Sequence, residues 1–361
     1  MTRVHNFSAG PSALPLSVLE QARDEFVDFR GSGASLIEQS HRAKRYDRVH
    51  FECIADLTSL LGIPDTHQVV FMGGGARSQF AHVPNNLARS APADHLVTGR
   101  WAEGAATEAA KLVDSRVLYS SADSGHDHVP GPTDFTADPA AAYLHYTSNN
   151  TIYGTQYHHV PDAGGGTLVC DMSSDILSRP VDVSRYSLIY AGAQKNMGPA
   201  GVTVLIIEKT MLDRSDAGLP EMFSFAKIAA KDSMLNTPPT FNIYMVGLVA
   251  KWLISGGGLS AMEATNRTKS GTVYDAIDGS GGFYAGHARR GSRSWMNVTF
   301  RVAGRPELEP IFVSEATEAG LVGLKGHRSV GGLRASIYNA VPLASCEALA
   351  AFMGDFARRH G

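Results

Sequence analysis

The sequence is poor in cysteine and in clustered charge. Its 361 residues include three cysteines, which lie too far apart for a disulfide framework or for the spacing of a metal site. Such usage is typical of a protein in a reducing cytosol. The net charge is -3 and no run of lysine or arginine is present, so we expect no nucleic-acid partner.

Long hydrophobic runs are also missing. No apolar stretch approaches the length of a membrane span, and residues 1–15 lack the charged and apolar regions of a signal peptide. Hydrophobic residues make up 43% of the chain and charged residues 19%, which is an ordinary globular balance. These features predict a soluble cytoplasmic protein of about two domains, with no membrane partner.

Short β-rich runs alternate with helical or loop segments through most of the chain. This alternation predicts an α/β fold, in which a mostly parallel seven-stranded sheet is sandwiched by helices. Ligands of such folds bind at the carboxyl ends of the strands. The predicted strands are HQVVFM, HLVTG, SRVLYS, AAYLHYTSN, TLVCDMSS, SLIYAGA and VTVLIIE.

A change of pattern divides the chain. A helix-like run, FNIYMVGLVAKWLIS, is stopped by three glycines, and strand-like runs such as SWMNVTFRV follow it. We predict a large domain over residues 16–255 and a smaller α+β domain made of 1–15 with 256–361. Within the first, the apolar spacing predicts a helix from Leu16 to Arg30, where GSG ends it.

One lysine has an unusual position. Lys195 lies on a tight connection between two predicted buried strands, in YAGAQKNMGPAG. Gly198, Pro199 and Gly201 restrict the backbone there, so the amine can be held in one direction. The alternative, taken for Lys195 alone, is a side chain that extends into solvent.

Two further motifs lie at predicted strand ends. The stretch GGGARS, residues 73–78, offers backbone N–H groups at a helix start, which suits a phosphate, although such turns also serve only as tight corners. Asp171 ends the strand TLVCD. A buried acid is costly unless it pairs with a cation such as a protonated pyridine nitrogen, or caps the following helix.

Trp101 and Thr151 also follow predicted strands. The indole of Trp101 could stack on a flat ring or pack in the core, and the Thr151 hydroxyl could bind a phenolate oxygen or cap a turn. With Lys195, these groups are the parts of a pyridoxal 5′-phosphate site, where a primary amine forms the Schiff base and moves the substrate's α-proton. The histidines of GHDHVPG and QYHHVPD have no acid or cysteine at the spacing of a metal site, so we interpret them as loop residues and predict no metal.

Five stretches carry a family resemblance over nearly the whole chain, from Asn6 to Gly361. The sequence resembles the phosphoserine aminotransferases, fold-type I pyridoxal-phosphate enzymes within aminotransferase class V. The resemblance implies amino transfer between O-phospho-L-serine plus 2-oxoglutarate and 3-phosphohydroxypyruvate plus L-glutamate, for serine biosynthesis. It also implies 4-phosphohydroxy-L-threonine, of pyridoxine synthesis, as a second substrate. The stretches are NFSAGPSALP, SHR, AQKNMGPAG, NTPPTFNIY and GHRSVGGLRASIYNA.

The same resemblance assigns cofactor residues. Lys195 becomes the Schiff-base lysine and Asp171 the partner of the pyridine nitrogen. Asn236 and Thr237 resemble a pair that reaches the cofactor phosphate from a neighbouring subunit, which implies a homodimer with shared active sites. The other implied cofactor contacts are Ala76, Arg77, Trp101, Thr151 and Gln194.

Phosphoserine and glutamate share an α-carboxylate and differ in the distal anion. Arginine forks suit the carboxylate, and Arg334 in GGLRAS is its candidate, in agreement with the resemblance. For the distal anion we predict two His-Arg pairs, although either pair alone also fits a solvated basic surface. Arg77 is a further candidate for the distal anion, and Ser8, in the N-terminal segment, is a candidate contact of the substrate. The two pairs are His41 with Arg42 and His327 with Arg328.

One departure and two rival functions remain. The family usually has an acidic residue where this chain has Asn150, which leaves the hydrogen bonds around Thr151 open. A related aminotransferase acting on alanine or serine with glyoxylate would need no cluster for a distal dianion. A dehydrogenase would need G-x-G-x-x-G, which GGGARS does not match, and a phosphate-binding module would have no use for Lys195.

Overall fold

The computed structural model describes residues 3–89, 91–215 and 218–361. In that part of the chain, all seven runs predicted as strands do form strands. The strands, in chain order, are β1 (His5–Asn6), β2 (His67–Gly73), β3 (Ala93–Val97), β4 (Ser115–Ser120), β5 (Tyr143–Thr147), β6 (Asn149–Asn150), β7 (Thr155–Gln156), β8 (Leu168–Asp171), β9 (Leu188–Gly192), β10 (Val202–Glu208), β11 (Tyr284–Gly286), β12 (Asn297–Val302), β13 (Leu321–Val322) and β14 (Leu333–Ser336).

Helices lie between most of these strands. The α-helices of the same residues are α1 (Leu16–Asp24), α2 (Lys44–Leu61), α3 (Gln79–Leu87), α4 (Arg100–Ala109), α5 (Lys209–Arg214), α6 (Phe225–Ala229), α7 (Thr240–Ser255), α8 (Gly258–Asp278), α9 (Leu308–Glu318) and α10 (Leu343–His360). Short 3-10 helices cover Phe29–Gly31, Leu36–Glu38, Ala76–Ser78, Ala122–Ser124, Val183–Arg185, Glu221–Phe223 and Arg290–Ser292.

The predicted strands join one seven-stranded sheet, in the order β2-β10-β9-β8-β5-β3-β4. Neighbours are parallel except around β10, which runs antiparallel to both β2 and β9. A parallel crossover needs roughly a dozen or more residues, and the connection from Gly192 to Val202 is too short for one. The reversal places the Lys195 connection at the same sheet edge as Gly73, because Val202 pairs with Gly73.

Both faces of this sheet are covered by helices. Alternate residues of a strand point to opposite faces. Phe71 and Ile206 therefore belong to one core cluster, with residues of α2 and α7, while Val70 and Leu205 belong to another, with residues of α3. Burying each such side chain contributes about 1.5–3 kcal/mol. The packing fixes the strand ends from which the site residues extend.

A separate core lies under the antiparallel sheet β11-β12-β14, against α8, α9 and α10. Its centre includes Phe300, Phe312 and Phe356, all fully buried. The N-terminal residues join this core, because β1 pairs with β13 and Phe7 packs inside it. The division into residues 16–255 and 1–15 with 256–361 stays a prediction.

The first helix is shorter than the sequence predicts. Helix α1 ends at Asp24, so the predicted continuation to Arg30 was wrong. The chain leaves the helix because Phe29 is buried in a separate 3-10 turn, edge-on to Tyr244 at 5.6 Å between ring centroids. Arg30 adopts φ 51°, which ends any helical continuation.

Helix α7 ends at Ser255, before the three glycines, as predicted. In the described ranges, no single helix has both the length and the apolar character to cross a membrane. Helices α7 and α8 together pass that test of length and composition, but they meet at a bend of 84°.

Candidate active site

The glycine-rich loop lies at the carboxyl end of β2. Gly74 adopts φ 97°, in the region that favours glycine, and its N–H donates to Gly201 O at 3.0 Å. The 3-10 turn Ala76–Ser78 then leads into α3, and the first N–H groups of a helix have no acceptor within it. A Cβ added at Gly73, Gly74 or Gly75 would meet nothing within 4 Å, so the loop faces open space.

Lys195 lies in the turn between β9 and β10. Its Nζ donates to Thr151 Oγ1 at 2.8 Å and lies 5.6 Å from the centroid of the Trp101 ring. The N-terminal segment fixes its backbone: the Ser12 hydroxyl donates to Lys195 O. Gly10, at φ 136°, allows this approach, since a Cβ there would lie 3.1 Å from Lys195 Cγ. The amine is thus half-buried and held in one direction.

Charges around Lys195 act on its pKa in opposite directions. Burial lowers the pKa of the Lys195 amine, and the positive charge of Arg334 lowers it further, while Asp171 raises it. The balance keeps the pKa below the ordinary value of 10.5. More of the amine is therefore neutral at physiological pH than in an exposed lysine.

Asp171 ends β8 at the same edge of the sheet. Its side chain is 6% exposed, and Oδ1 accepts from the backbone N–H of Ser173 at 3.0 Å. Burial raises the pKa of this carboxyl group, although the Lys195 charge and the hydrogen bonds from Ser173 oppose the rise. Such a carboxylate gains stability from a cation placed beside it.

Several polar atoms next to Lys195 are buried without a hydrogen-bond partner. They include Trp101 Nε1, Gln194 Oε1 and Arg334 Nε. Because buried polar groups are nearly always paired, these atoms indicate a surface built to contact a polar ligand. Gly192 leaves room for the Gln194 side chain, since a Cβ there would lie 2.8 Å from Gln194 Oε1.

Arg334 extends from β14 toward the Lys195 turn. Its Nη1 donates to Thr151 O at 3.4 Å, and burial lowers the pKa of its guanidinium. Within residues 3–89, 91–215 and 218–361 it forms no ion pair with an acid. A half-buried guanidinium in this state can bind a carboxylate through two parallel hydrogen bonds.

A basic cleft adjoins Trp101. Burial lowers the pKa of His327, and the charges of Arg334, Arg328 and Arg100 lower it further. His327 Nδ1 also lies 2.7 Å from Ser329 Oγ. Arg100 was not among the predicted site residues, although it directly precedes Trp101. The lining includes Arg77, Arg100, Trp101, His327 and Arg328, together with Glu108 and with Glu103, which pairs with Arg100 at 3.3 Å.

A family comparison identifies the kind of protein. The model of the family described as "Aminotransferase class-V" matches residues 4–349. The chain belongs to the class-V aminotransferase family. It is 52% identical to the phosphoserine aminotransferase of Lysinibacillus sphaericus over 359 residues, with 99% of each chain covered.

Solved structures of similar proteins share the fold of this aminotransferase. Phosphoserine aminotransferase from Bacillus circulans subsp. alkalophilus superposes with a TM-score of 0.97 at 50% identity, covering 99% of both chains. Pyridoxal-phosphate-bound phosphoserine aminotransferase from Trichomonas vaginalis gives a TM-score of 0.92 at 38% identity, covering 97% of this chain and 99% of that one. The predicted α/β fold, with its sheet sandwiched by helices, is thereby confirmed as that of the fold-type I aminotransferases.

The structure gathers most predicted site residues of this aminotransferase, but not all. Ala76, Arg77, Trp101, Thr151, Asp171, Gln194, Lys195, His327, Arg328 and Arg334 lie around one carboxyl edge, in the loops and cleft just described. Asn236 and Thr237 line a different pocket, next to Met72 and Gly73. Their position gives no contact with Lys195 in the described part of the same chain.

His41, Arg42 and Ser8 also lie apart from Lys195. His41 and Arg42 precede α2; Arg42 is exposed, while His41 Nε2 is buried without a hydrogen-bond partner. Ser8 N donates to Asn6 Oδ1 at 3.0 Å and lies against Gly323. Among the described residues, no hydrogen bond or ion pair joins any of the three to Lys195, Asp171 or Arg334.

Asn150 forms two hydrogen bonds that an acidic side chain at this position could also form. Its Nδ2 donates to Thr98 Oγ1 at 3.0 Å and to Thr155 Oγ1 at 3.1 Å. Hydroxyl groups can donate as well as accept, so a carboxylate here could accept from both. The hydrogen-bond pattern left open by the sequence is therefore a pair of threonine contacts.

Proposed function

We propose that the chain is a phosphoserine aminotransferase that holds pyridoxal 5′-phosphate on Lys195. The observation that carries this proposal is the presence of two separate groups of cationic side chains near the half-buried Lys195 amine. Arg334 suits an α-carboxylate, and the cleft with Arg77, His327 and Arg328 suits a second, distal anion. Phosphoserine and glutamate both carry these two anions.

The described residues fit the cofactor. Trp101 would lie against its ring, the N–H groups of the Ala76–Ser78 turn would bind its phosphate, and Asp171 would pair with its ring nitrogen. When bound, pyridoxal phosphate supplies an aldehyde that condenses with primary amines and a protonated ring that withdraws electrons from the substrate's α-carbon. The Thr151 hydroxyl and the Gln194 amide complete the set of groups around that ring.

The protein's own groups bind the substrate and move its proton. The Arg334 guanidinium orients the α-carboxylate, and the basic cleft holds the phosphate of phosphoserine or the distal carboxylate of glutamate. Lys195 Nζ, with its lowered pKa, then takes the α-proton of the amino donor, and in the second half-reaction it supplies the α-proton of the amino acid formed from the 2-oxo acid. The same cleft would hold the phosphate of 4-phosphohydroxy-L-threonine, which we include as a second substrate.

We extend the proposal to a homodimer with shared active sites. Among the described residues, no hydrogen bond or ion pair joins Asn236, Thr237, His41 or Arg42 to Lys195, Asp171 or Arg334, so a second copy must supply these four residues if they serve the site. A mixing experiment tests this. Lys195→Ala and Arg42→Ala homodimers are each expected to be nearly inactive, and their random exchange should restore about one quarter of the sites. No recovery after proven subunit exchange would contradict the sharing.

We also place the enzyme in the cytoplasm. Its three cysteines are buried and unpaired, as is usual in a reducing compartment. Fractionation of cells producing the chain would test this, since activity in a secreted or membrane fraction alone would contradict it.

The absorbance spectrum of the purified protein tests the reaction itself. We expect a yellow protein whose visible band disappears when phosphoserine is added and returns with 2-oxoglutarate, while a Lys195→Ala variant does neither. A protein that stays colourless after incubation with pyridoxal phosphate would overturn the cofactor. Conversion by alanine with glyoxylate, but not by phosphoserine, would favour the related aminotransferases instead.

A variant of the basic cleft separates these two activities. Arg328→Ala should weaken turnover of phosphoserine far more than any residual turnover of alanine, because alanine has no distal anion. Equal losses with both donors would contradict the role of the cleft. Arg290→Ala, at an exposed arginine that pairs with Asp278, serves as the control.

A further inference from the structure

A second buried lysine lies behind the active site. Lys269, on α8, has no exposed surface. Its Nζ donates to the carbonyl oxygens of Tyr338 at 2.7 Å, Ile337 at 3.0 Å and Val341 at 3.1 Å, and Asn339 O lies at 3.5 Å. An ammonium group has three N–H donors, so one short segment, 337–341, uses them all.

The charge of Lys269 has no acid beside it. In the described part of the chain it forms no ion pair, and the titratable neighbour that acts on its pKa is the Cys346 thiol of α10. A buried cation without a carboxylate is rare, because its desolvation is costly. The burial of Lys269 is therefore explained by the carbonyl oxygens that accept hydrogen bonds from its Nζ.

These carbonyl groups need a partner because the sheet ends beside them. Pairing of β14 with β12 ends at Ser336, opposite Asn297, and the chain then turns into the 337–341 segment. Ile337, Tyr338 and Val341 are all at most 2% exposed, so water does not reach this backbone readily. Without Lys269, the buried carbonyl oxygens of Ile337 and Val341 would lose this donor, while Tyr338 O would keep the N–H of Val341 at 2.9 Å.

The 337–341 segment in turn holds the residue next to Lys195. Asn339 N donates to Asn196 Oδ1 at 2.9 Å, and Asn196 Nδ2 donates to Ile176 O at 2.6 Å. Asn339 Nδ2 also donates to Leu177 O at 2.8 Å. The Asn196 side chain is thereby fixed between this segment and the loop after Asp171.

A second path runs through the N-terminal residues. Tyr338 OH donates to Ala9 O at 2.9 Å, and Ser12 N donates to Gln194 O at 3.1 Å. The same segment therefore reaches both neighbours of Lys195 in the chain, Gln194 and Asn196. Arg334 differs, because its strand is held directly by pairing with Thr299 of β12.

We propose that Lys269 is a positioning residue for Lys195: its ammonium group fixes the 337–341 segment, which holds Asn196 and so sets the direction of the Lys195 amine. This inference rests on the proposed function, in which that amine moves the α-proton. Small displacements of a reacting group can cost a large part of the rate. Loss of Lys269 should therefore lower kcat more than it raises KM.

Two variants make a matched test. Lys269→Met keeps an unbranched side chain of similar length and removes the donors. Lys251→Met is the control, because this half-exposed lysine of α7 pairs with Asp56 at 2.6 Å and touches neither the 337–341 segment nor the Lys195 turn. Both are measured with phosphoserine after loading with pyridoxal phosphate, and both are corrected for the folded fraction.

A second readout avoids the loaded enzyme. In cofactor-free protein, the rate at which an amine-selective acylating reagent labels Lys195 is followed by peptide mass spectrometry across a range of pH. We expect Lys269→Met to shift this pH profile and to lower kcat about tenfold or more, with KM changed less than about threefold. Lys251→Met should match the wild type in both.

A double-mutant cycle tests the path through Asn196. Asn196→Ala should shift the labelling profile in the same way, and adding Lys269→Met to it should have little further effect. An unshifted profile in folded Lys269→Met would overturn the proposal, as would independent, multiplying effects of the two changes on kcat. If Lys269→Met does not fold, Lys269→Gln, which keeps one NH2 group, replaces it in every measurement.

The two proposals fail in different ways. If the wild type does not convert phosphoserine, the proposed function is wrong, and the labelling of Lys195 in cofactor-free protein still decides the role of Lys269. If the wild type converts phosphoserine and the labelling profiles of all variants coincide, only the positioning role is wrong.

Discussion

Two lysines of this aminotransferase, the half-buried Lys195 and the fully buried Lys269, differ in how their N–H donors are used. Among the described residues, Lys195 Nζ has one hydrogen bond, to Thr151, and it lies 5.6 Å from the centroid of the Trp101 ring. Lys269 Nζ has all its donors occupied by the carbonyl groups of one segment. A lysine that reacts keeps its donors nearly free, whereas a lysine that supports the fold has them saturated. Removing Lys195 should therefore lower turnover with little loss of stability, whereas removing Lys269 should lower stability as well as kcat.

The largest expected effect is on catalysis, at Lys195. Lys195→Ala should reduce turnover about a thousandfold or more, because the site loses the amine that holds the cofactor and moves the α-proton. Its free energy of unfolding should change by less than about 1 kcal/mol, since one hydrogen bond is lost. Steady-state kinetics and urea unfolding of cofactor-free protein measure the two effects. A large loss of stability in Lys195→Ala would contradict the comparison of Lys195 with Lys269.

The second prediction concerns the charge beside Lys195. Asp171→Asn should lower turnover about a hundredfold, because the ring nitrogen of the cofactor loses its anionic partner. Asp171 raises the pKa of Lys195, so its neutralisation should lower that pKa further and move the labelling profile of Lys195 to lower pH.

Asp175→Asn is the matched control for that change. Asp175 is equally buried, but its carboxylate accepts from Gln156 Nε2 at 3.0 Å and from the Ser148 hydroxyl. Its effect on the labelling of Lys195 should be smaller than that of Asp171→Asn. A larger shift would show that Asp171 is not the main acid acting on the amine.

The third prediction concerns stability, at Lys269. Lys269→Met should lower the free energy of unfolding by about 2–4 kcal/mol, because buried carbonyl groups lose their donor. Burial lowers the pKa of Lys269 from 10.5 to about 8, so between these values the native protein binds fewer protons than the unfolded chain. The contribution of this group to stability therefore rises with pH in that window.

Unfolding in urea at about pH 7.5 and about pH 10 measures the sign of this contribution. The difference between wild type and Lys269→Met should widen as the pH rises. A difference that narrows would mean that the protonated amine is favoured in the native state, which would contradict the lowered pKa.

The smallest expected effect is at Asn150, near Thr151. Asn150→Asp should change kcat by less than about threefold and stability by less than about 1 kcal/mol, since the hydroxyls of Thr98 and Thr155 can donate to a carboxylate. Asn150→Leu, which removes both contacts, should cost more in a thermal unfolding experiment. Equal effects of the two changes would mean that the threonine contacts contribute nothing.

The strands and the Lys195 connection could be predicted because their signals are local. Each strand is a short apolar run, and Lys195 is bounded by glycines and proline within a few residues. The predicted end of α1 was wrong because the observed end depends on burial of Phe29 against Tyr244, which lies far along the chain. The contact of Asn339 with Asn196 likewise has no signal in either stretch.

The anion-binding residues show a second limit of sequence reasoning. His327 and Arg328 lie in the cleft that was predicted from their charge, but Arg100 was overlooked because one arginine before a tryptophan has no distinctive pattern. His41 and Arg42 have the same residue types as His327 and Arg328, but in the structure they lie apart from Lys195. Residue type indicates what a group can bind, while its location depends on the tertiary and quaternary arrangement.

The pairing of β1 with β13 has a consequence for the order in which the protein matures. His5 pairs with Leu321, and the Tyr338 hydroxyl donates to Ala9 O, so this early segment is held in part by residues that are synthesised much later. Ser12, which holds the Lys195 backbone, belongs to that segment. On the ribosome, the central sheet can therefore form with its reactive lysine still loosely held. Competence to hold the cofactor should therefore arise only after β13 and the 337–341 segment have been synthesised.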